Sequence, residues 1–302
     1  MDSTPETRQA RARVSLEGLS VGDAFGERFF LHPAVALGLT YQRALPAPPW
    51  RFTDDTQMAL SVVATLVRHG EIHQDHLARS FGKHYDITRG YGPAMHRMLP
   101  AIRSEVPWRK AAQSLFGGQG SFGNGAAMRV APVGAYFADD LALAAEHAAR
   151  SAEVTHAHPE AAAGAIAVAA ASACAARARE AGAKPSHEEF FESILSLVPE
   201  SAVRAGIERA RDLDPNAPVR AVARELGNGS HVSSQDTVPF TLWCAARDLD
   251  NFEEALWSTV SGLGDLDTTC AIVGGIVACY TGIEGIPAEW REAREPLPEW
   301  ED

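Results

Sequence analysis

The chain has 302 residues, 46% of them hydrophobic, enough apolar material for one large core or two small ones, which excludes an intrinsically disordered protein. A formal net charge of -12, with no Lys/Arg-rich run, argues against bulk binding to nucleic acid or anionic lipid through the overall field. A local cationic site or a bound metal would still hold an anionic ligand.

Taken in chain order, residues 1–18 (MDSTPETRQARARVSLEG) are charged and lack the apolar core of a signal peptide, so the expected location is the cytoplasm. Strand-like alternation is almost absent, whereas helical periodicity recurs over 57–69, 141–152, 160–181, 188–197, 219–226 and 271–281, which predicts an all-α chain. Pro159 fits a first helical position, Glu160 a first turn and Gly182 a stop. The uncharged run from Ala161 to Ala176 is too short and too alanine-rich for a membrane span, so a helix packed on all sides is expected and no membrane contact. The apolar segment at 270–282 carries two interior glycines, Gly274 and Gly275, which predict close approach of another backbone. Residues 212–219 and 227–236 read as surface loops inside one domain covering 1–302, with no linker or repeat. Four cysteines without a CxxC pair read as buried, reduced thiols.

Three stretches carry chemistry. In RFTDDTQMALSV, Asp54 and Asp55 fall at the start of a buried helix, where one carboxylate suffices as a cap and two repel unless a cation lies between them. In GLGDLDTTCAIVGG, Asp265 and Asp267 precede Thr268 and a second apolar helix, repeating the design. Four carboxylates brought together without cations would cost more than caps return, so the favoured explanation is oxygen coordination of Mg2+ or Mn2+. Two such ions about 3.5 to 4 Å apart form a familiar catalytic arrangement. The third stretch, LFGGQGSFGNGAAMRVAPVG, matches a dinucleotide fingerprint only weakly and lacks the Lys of a Walker loop. Its glycines allow backbone N–H groups to approach phosphate oxygens, with Arg129 as a charged neighbour; the alternative is a merely tight loop.

Together with GLSVGDAFG near the start and VTHAHPEAAAGA in the middle, these stretches resemble the ADP-ribosylglycohydrolase family, in the family's order from Gly18 to Pro287. The resemblance implies a compact all-α, orthogonal multi-helix bundle with two Mg2+ or Mn2+ ions in a cleft that binds ADP-ribose. It implies that Thr53, Asp54 and Asp55 ligate one ion, Asp265 and Thr268 the other, and that Asp267 bridges them. Gly123, Asn124, Gly125 and Ala126 would cradle the diphosphate, with Met128 and Arg129 completing the loop's share of the ligand site. Gly90, Tyr91 and Gly92 would lie beside the ribose. His156 would contact the ligand, the alternative being a structural histidine, and His158 reads as a helix start.

Two departures from the family pattern stand out. Leu266 replaces a threonine between the two aspartates, and Phe30 occupies the position of a glutamate that serves some members, leaving Glu27 as the nearest carboxylate. The expected activity is hydrolysis of an N- or O-glycosidic bond between C1″ of ADP-ribose and a protein side chain, with Asp54, Asp55 and Glu27 as candidate catalytic carboxylates. The alternative is a non-catalytic ADP-ribose sensor. ADP-ribose and ADP-ribosylated proteins are the expected partners, and a monomer is favoured. A prenyl-diphosphate enzyme fits poorly because DDTQM lacks a further Asp and the glycine loop has no role there.

Overall fold

The computed structural model describes residues 4–300, and among them it holds sixteen α-helices and no named β-strand, the expected all-α class. In chain order these are α1 (Pro5–Glu27), α2 (Pro33–Gln42), α3 (Asp54–His69), α4 (Gln74–His84), α5 (Met95–Arg103), α6 (Trp108–Gln113), α7 (Ala131–Tyr136) and α8 (Leu141–Glu153). They continue as α9 (Pro159–Ala181), α10 (His187–Leu195), α11 (Ala202–Asp212), α12 (Val219–Leu226), α13 (Ser234–Arg247), α14 (Phe252–Ser261), α15 (Leu266–Thr281) and α16 (Ala288–Ala293).

Helix α9 follows its sequence signals. His158 is the N-cap, accepting the Glu160 amide on its ring; Pro159 occupies the first turn, and Gly182 closes the helix in the left-handed conformation at φ 67°. By length and composition α9 could span a bilayer, but 78% of its most apolar window is buried inside the fold, the position of a core helix. Its alanines admit close neighbours on every side, and α7, α8, α13 and α15 all pack against it.

Helices α3 and α15 begin earlier than their apolar periodicity indicates, at Asp54 rather than Gln57 and at Leu266 rather than Ala271, because their acidic first turns already belong to the helices. Helix α1 escapes periodicity altogether. Thr4 caps it and Pro5 opens it, yet much of the face it buries consists of Gly18, Gly22, Gly26, Ser15, Ser20 and Asp23, which no hydrophobic pattern registers.

That face fixes the site. A Cβ built on Gly18 would lie 2.4 Å from the Gly274 carbonyl oxygen, one on Gly22 2.1 Å from that of Cys270, and one on Gly26 2.1 Å from that of Leu266. The two helices therefore run antiparallel with backbones in contact, and Gly274 meets a second backbone as expected. Asp23, one residue past Gly22, is thereby carried to the end of α15 that bears Asp267. Behind this junction Phe25 stacks on Trp290 with centroids 4.6 Å apart and meets Trp257 edge-on at 5.0 Å, an aromatic cluster that pins the C-terminal turn of α1 to α14 and α16.

Candidate metal centre and ligand cleft

At the N-terminus of α3, Thr53 is the N-cap and accepts the Asp55 amide on its hydroxyl. The Thr53 and Thr56 amides are both taken by Asp23, at 2.9 and 3.1 Å to Oδ2, and both threonine hydroxyls also donate to Asp23. Asp54 and Asp55 are thus relieved of capping, which disposes of the simpler reading of their adjacency. Both line a cleft instead. On the facing helix, Asp265 is the N-cap position of α15 without itself capping, and Asp267 Oδ1 accepts the Thr268 amide at 2.8 Å.

Asp23, Asp55 and Asp267 each present an oxygen, all within 4.8 Å of one another. Asp55 is 1% exposed, and its Oδ1 is buried without a hydrogen-bond partner. Burial, reinforced by Asp267 and the other carboxylates, pushes Asp55 well above the usual range; burial and then Asp265 do the same to Asp267. Burial and the charge of Asp23 raise Asp54 to about 8, while burial lifts Asp23 to about 6 against the opposing hydrogen bonds from Thr53 and Thr56. An orphaned carboxylate oxygen among mutually repelling, all-oxygen donors fits a hard divalent cation, which would satisfy the one and relieve the other.

Asp54, Asp55, Asp265 and Asp267 line a cavity of about 750 Å³, within the range of nucleotide-sized ligand sites. Gly123, Asn124, Gly125 and Met128 line one wall. The Asn124 side-chain Nδ2 donates to Asp265 Oδ2 at 2.7 Å and to the Thr237 hydroxyl at 3.0 Å, tying the glycine loop to the acidic end of α15. Gly125 is required here because a Cβ would meet the His156 ring at 2.8 Å. His156 also lines the cleft; its Nδ1 pairs with the Thr155 hydroxyl at 2.7 Å, and burial followed by the charge of Arg129 lowers its pKa to about 3, so the ring is neutral. On another wall, Gly90 takes φ 87° beside Asp54, Tyr91 donates to Gln57 at 2.8 Å, and Gly92 follows. Asp265 and Thr268 complete the expected residues that line the space.

Four expected residues stand elsewhere. Arg129 is fully buried under the loop rather than beside a phosphate: it donates to the carbonyls of Gly125 at 3.1 Å and Ser151 at 2.7 Å and lies over Phe81. Ala126, the last residue of a short 3-10 helix, is wholly buried and does not line the cleft. Thr53 is also buried, with its hydroxyl directed to Asp23 and Asp55. Glu27, at the exposed last residue of α1, does not line the cavity.

Other residues come to the cleft without having been anticipated. Asp23 lies behind it, fully buried against Thr53 and Thr56 and within reach of Asp55 and Asp267, and was legible only as a polar residue in a glycine-rich segment. Phe116 and Phe122, with ring centroids 6.1 Å apart, stand partly exposed on the cleft. Residues 227–236, expected as a plain surface loop, return His231 and Val232 to the cavity: Gly229 packs on the Asp265 side chain, and Asp236 accepts the His231 amide at 2.9 Å.

The fold is all-helical, and it brings carboxylates that could hold a divalent cation and a glycine loop to one nucleotide-sized cleft. By comparison with known proteins, the chain belongs to the ADP-ribosylglycohydrolase family, whose model matches residues 4–301. It is 27% identical to ADP-ribosylhydrolase ARH3 of Mus musculus over 96% of this chain and 89% of that one. It is 31% identical to an uncharacterized protein of Archaeoglobus fulgidus (94% and 91% covered), and 25% identical to the ADP-ribosylarginine hydrolase Tri1 of Pseudomonas putida (96% and 75% covered). A solved structure titled "ADP-ribosylglycohydrolase-related protein complex" superposes with a TM-score of 0.56 at 25% identity, covering 96% of this chain and 94% of its own.

Proposed function

We propose that this chain is a hydrolase that frees ADP-ribose from modified protein side chains by cleaving the glycosidic bond at C1″, with two Mg2+ or Mn2+ ions as cofactors. The observation that carries the reading is the buried, unpartnered Asp55 Oδ1 within reach of Asp23 and Asp267, with Asp55 and Asp267 at the wall of the cleft. Asp54 and Asp55 would hold one ion, Asp265 and Thr268 the other, and Asp267 would serve both, while the Thr53 hydroxyl, engaged with Asp23 and Asp55, would orient Asp55 instead. Bound there, the ions supply positive charge that offsets the carboxylates and draws an anionic ligand. Gly123 to Gly125 receive the diphosphate, and the faces of Phe116 and Phe122 accept a nucleobase. Asp55 orients a water towards C1″ and takes its proton as positive charge builds on the ribose; the water oxygen bonds to C1″, the C1″–N or C1″–O bond breaks, and the proton held by Asp55 passes on to the leaving side chain. Neighbouring carboxylates stabilise that charge. A cytoplasmic setting belongs to the proposal and is supported by four cysteines that all remain thiols.

Phe30, half-exposed and without a carboxylate, together with Glu27 outside the cleft, favours a second reading, a sensor that binds ADP-ribose without turnover. Incubation with ADP-ribosylated arginine and serine peptides, with Mg2+ or Mn2+ and with chelator, separates the two. The hydrolase reading predicts cation-dependent release from at least one linkage. Saturable ADP-ribose binding with no release from either would make the protein a sensor.

A further inference from the structure

Asp23 stands apart from the other members of the carboxylate group because its oxygens are already engaged. Oδ1 accepts the Thr53 hydroxyl at 2.8 Å, and Oδ2 accepts the Thr53 amide at 2.9 Å, the Thr56 amide at 3.1 Å and the Thr56 hydroxyl. Thr53 is the N-cap of α3 and Thr56 its third residue. In a local capping box these two amides are satisfied reciprocally by side chains of the helix itself. Here one carboxylate from another helix takes both. The helix's own first-turn acids, Asp54 and Asp55, are left free to face the cleft, and Asp55 Oδ1 stays without a partner.

The neighbours of Asp23 hold it to this task. It is 0% exposed, and the flanking glycines Gly22 and Gly26 seat α1 directly on the Cys270 and Leu266 carbonyls, which fixes its backbone against α15. Its hydrogen-bond capacity is spent on the first turn of α3, which separates it from Asp55, whose capacity is not.

We propose that Asp23 is a positioning residue and not a metal ligand: it caps α3 from outside and thereby sets Asp54 and Asp55 at the angle a divalent ion requires. The inference rests on the metal-dependent reading above and deepens it. Outer residues that orient metal-binding groups typically change affinity about 10- to 100-fold when replaced. Asp23→Asn keeps the shape but removes the charge and turns one acceptor into a donor facing the Thr53 and Thr56 amides. Thr56→Val keeps all carboxylates and removes only one hydroxyl that anchors Asp23.

The test is titration of the metal-stripped full chain and both variants with manganese chloride alone, read by calorimetry, beside thermal melts without metal. The expected result is a loss of Mn2+ affinity of about 10- to 100-fold for Asp23→Asn, a smaller loss of the same sign for Thr56→Val, and a double variant little worse than Asp23→Asn. Thr56→Val serves alone should Asp23→Asn fail to fold. Full Mn2+ affinity in Thr56→Val beside a large loss in Asp23→Asn would make Asp23 a ligand and overturn the proposal, as would full affinity in Asp23→Asn. A wild-type chain that takes up no Mn2+ would instead sink the metal reading on which both stand.

Discussion

His156 lies beneath Gly125, 6% exposed, with its ring held neutral by burial and by Arg129. Its folded pKa of about 3 is below the ordinary value of 6.5, so the unfolded chain gains a proton that the folded one refuses as pH falls between these values. The stability tied to the neutral ring is therefore complete above pH 6.5 and is lost progressively towards pH 3. His156→Gln removes this dependence while filling similar space. Thermal melts at pH 7 and pH 4 should show a smaller fall in melting temperature for the variant than for the wild type; an equal or larger fall would show that the ring is not buried neutral. Legibility at this scale followed locality. Thr53 to Asp55 and Asp265 to Thr268 announce themselves because each set of oxygens is contiguous in the chain. Asp23 does not, since its partners lie 30 and 33 residues further on. Arg129 was misplaced because a charge beside a glycine loop gives no sign of whether it faces the ligand or, as here, the Gly125 carbonyl from below.

The decisive element is the antiparallel contact of α1 with α15. Gly22→Ala would drive a methyl group to 2.1 Å from the Cys270 carbonyl oxygen and 2.8 Å from its carbon, where only backbone can yield. The expected cost is about 3 kcal/mol, the upper end of the range for overpacked cores, read by urea unfolding. Gly38→Ala is the control: on exposed α2 nothing lies within 4 Å, and helix propensity alone should add about 1 kcal/mol. A Gly22→Ala variant as stable as wild type would mean that the helices are not in backbone contact. The same contact explains which elements the sequence conceals. Helix α9 is legible because its start and stop residues bracket a long uncharged run, whereas α1 buries glycine, serine and aspartate on the face that matters. Gly274 and Gly275 did point to a close neighbour; they could not say that it would be the first helix of the chain.

Across the whole molecule, the fold carries Asp23 from α1, Asp55 from α3 and Asp267 from α15 to one spot, although the chain is acidic throughout at a net charge of -12. Gathering them raises each carboxylate above its ordinary range, with burial the largest cause, so on the proposed metal-dependent reading protons and a divalent cation compete for the oxygens of Asp55 and Asp267. Cation affinity should accordingly rise with pH, with protons released on binding. The order of motifs along the chain revealed the family-like whole, but not the cleft's aromatic edge at Phe116 and Phe122 or the return of residues 227–236 to it, which depend on where loops end up. The most direct test is a calorimetric titration of metal-stripped wild type and Asp55→Asn with Mn2+ at pH 8. The account predicts saturable binding of two ions per wild-type chain and a loss of at least one of them in the variant; an absence of saturable binding, or the same isotherm for both proteins, would contradict it.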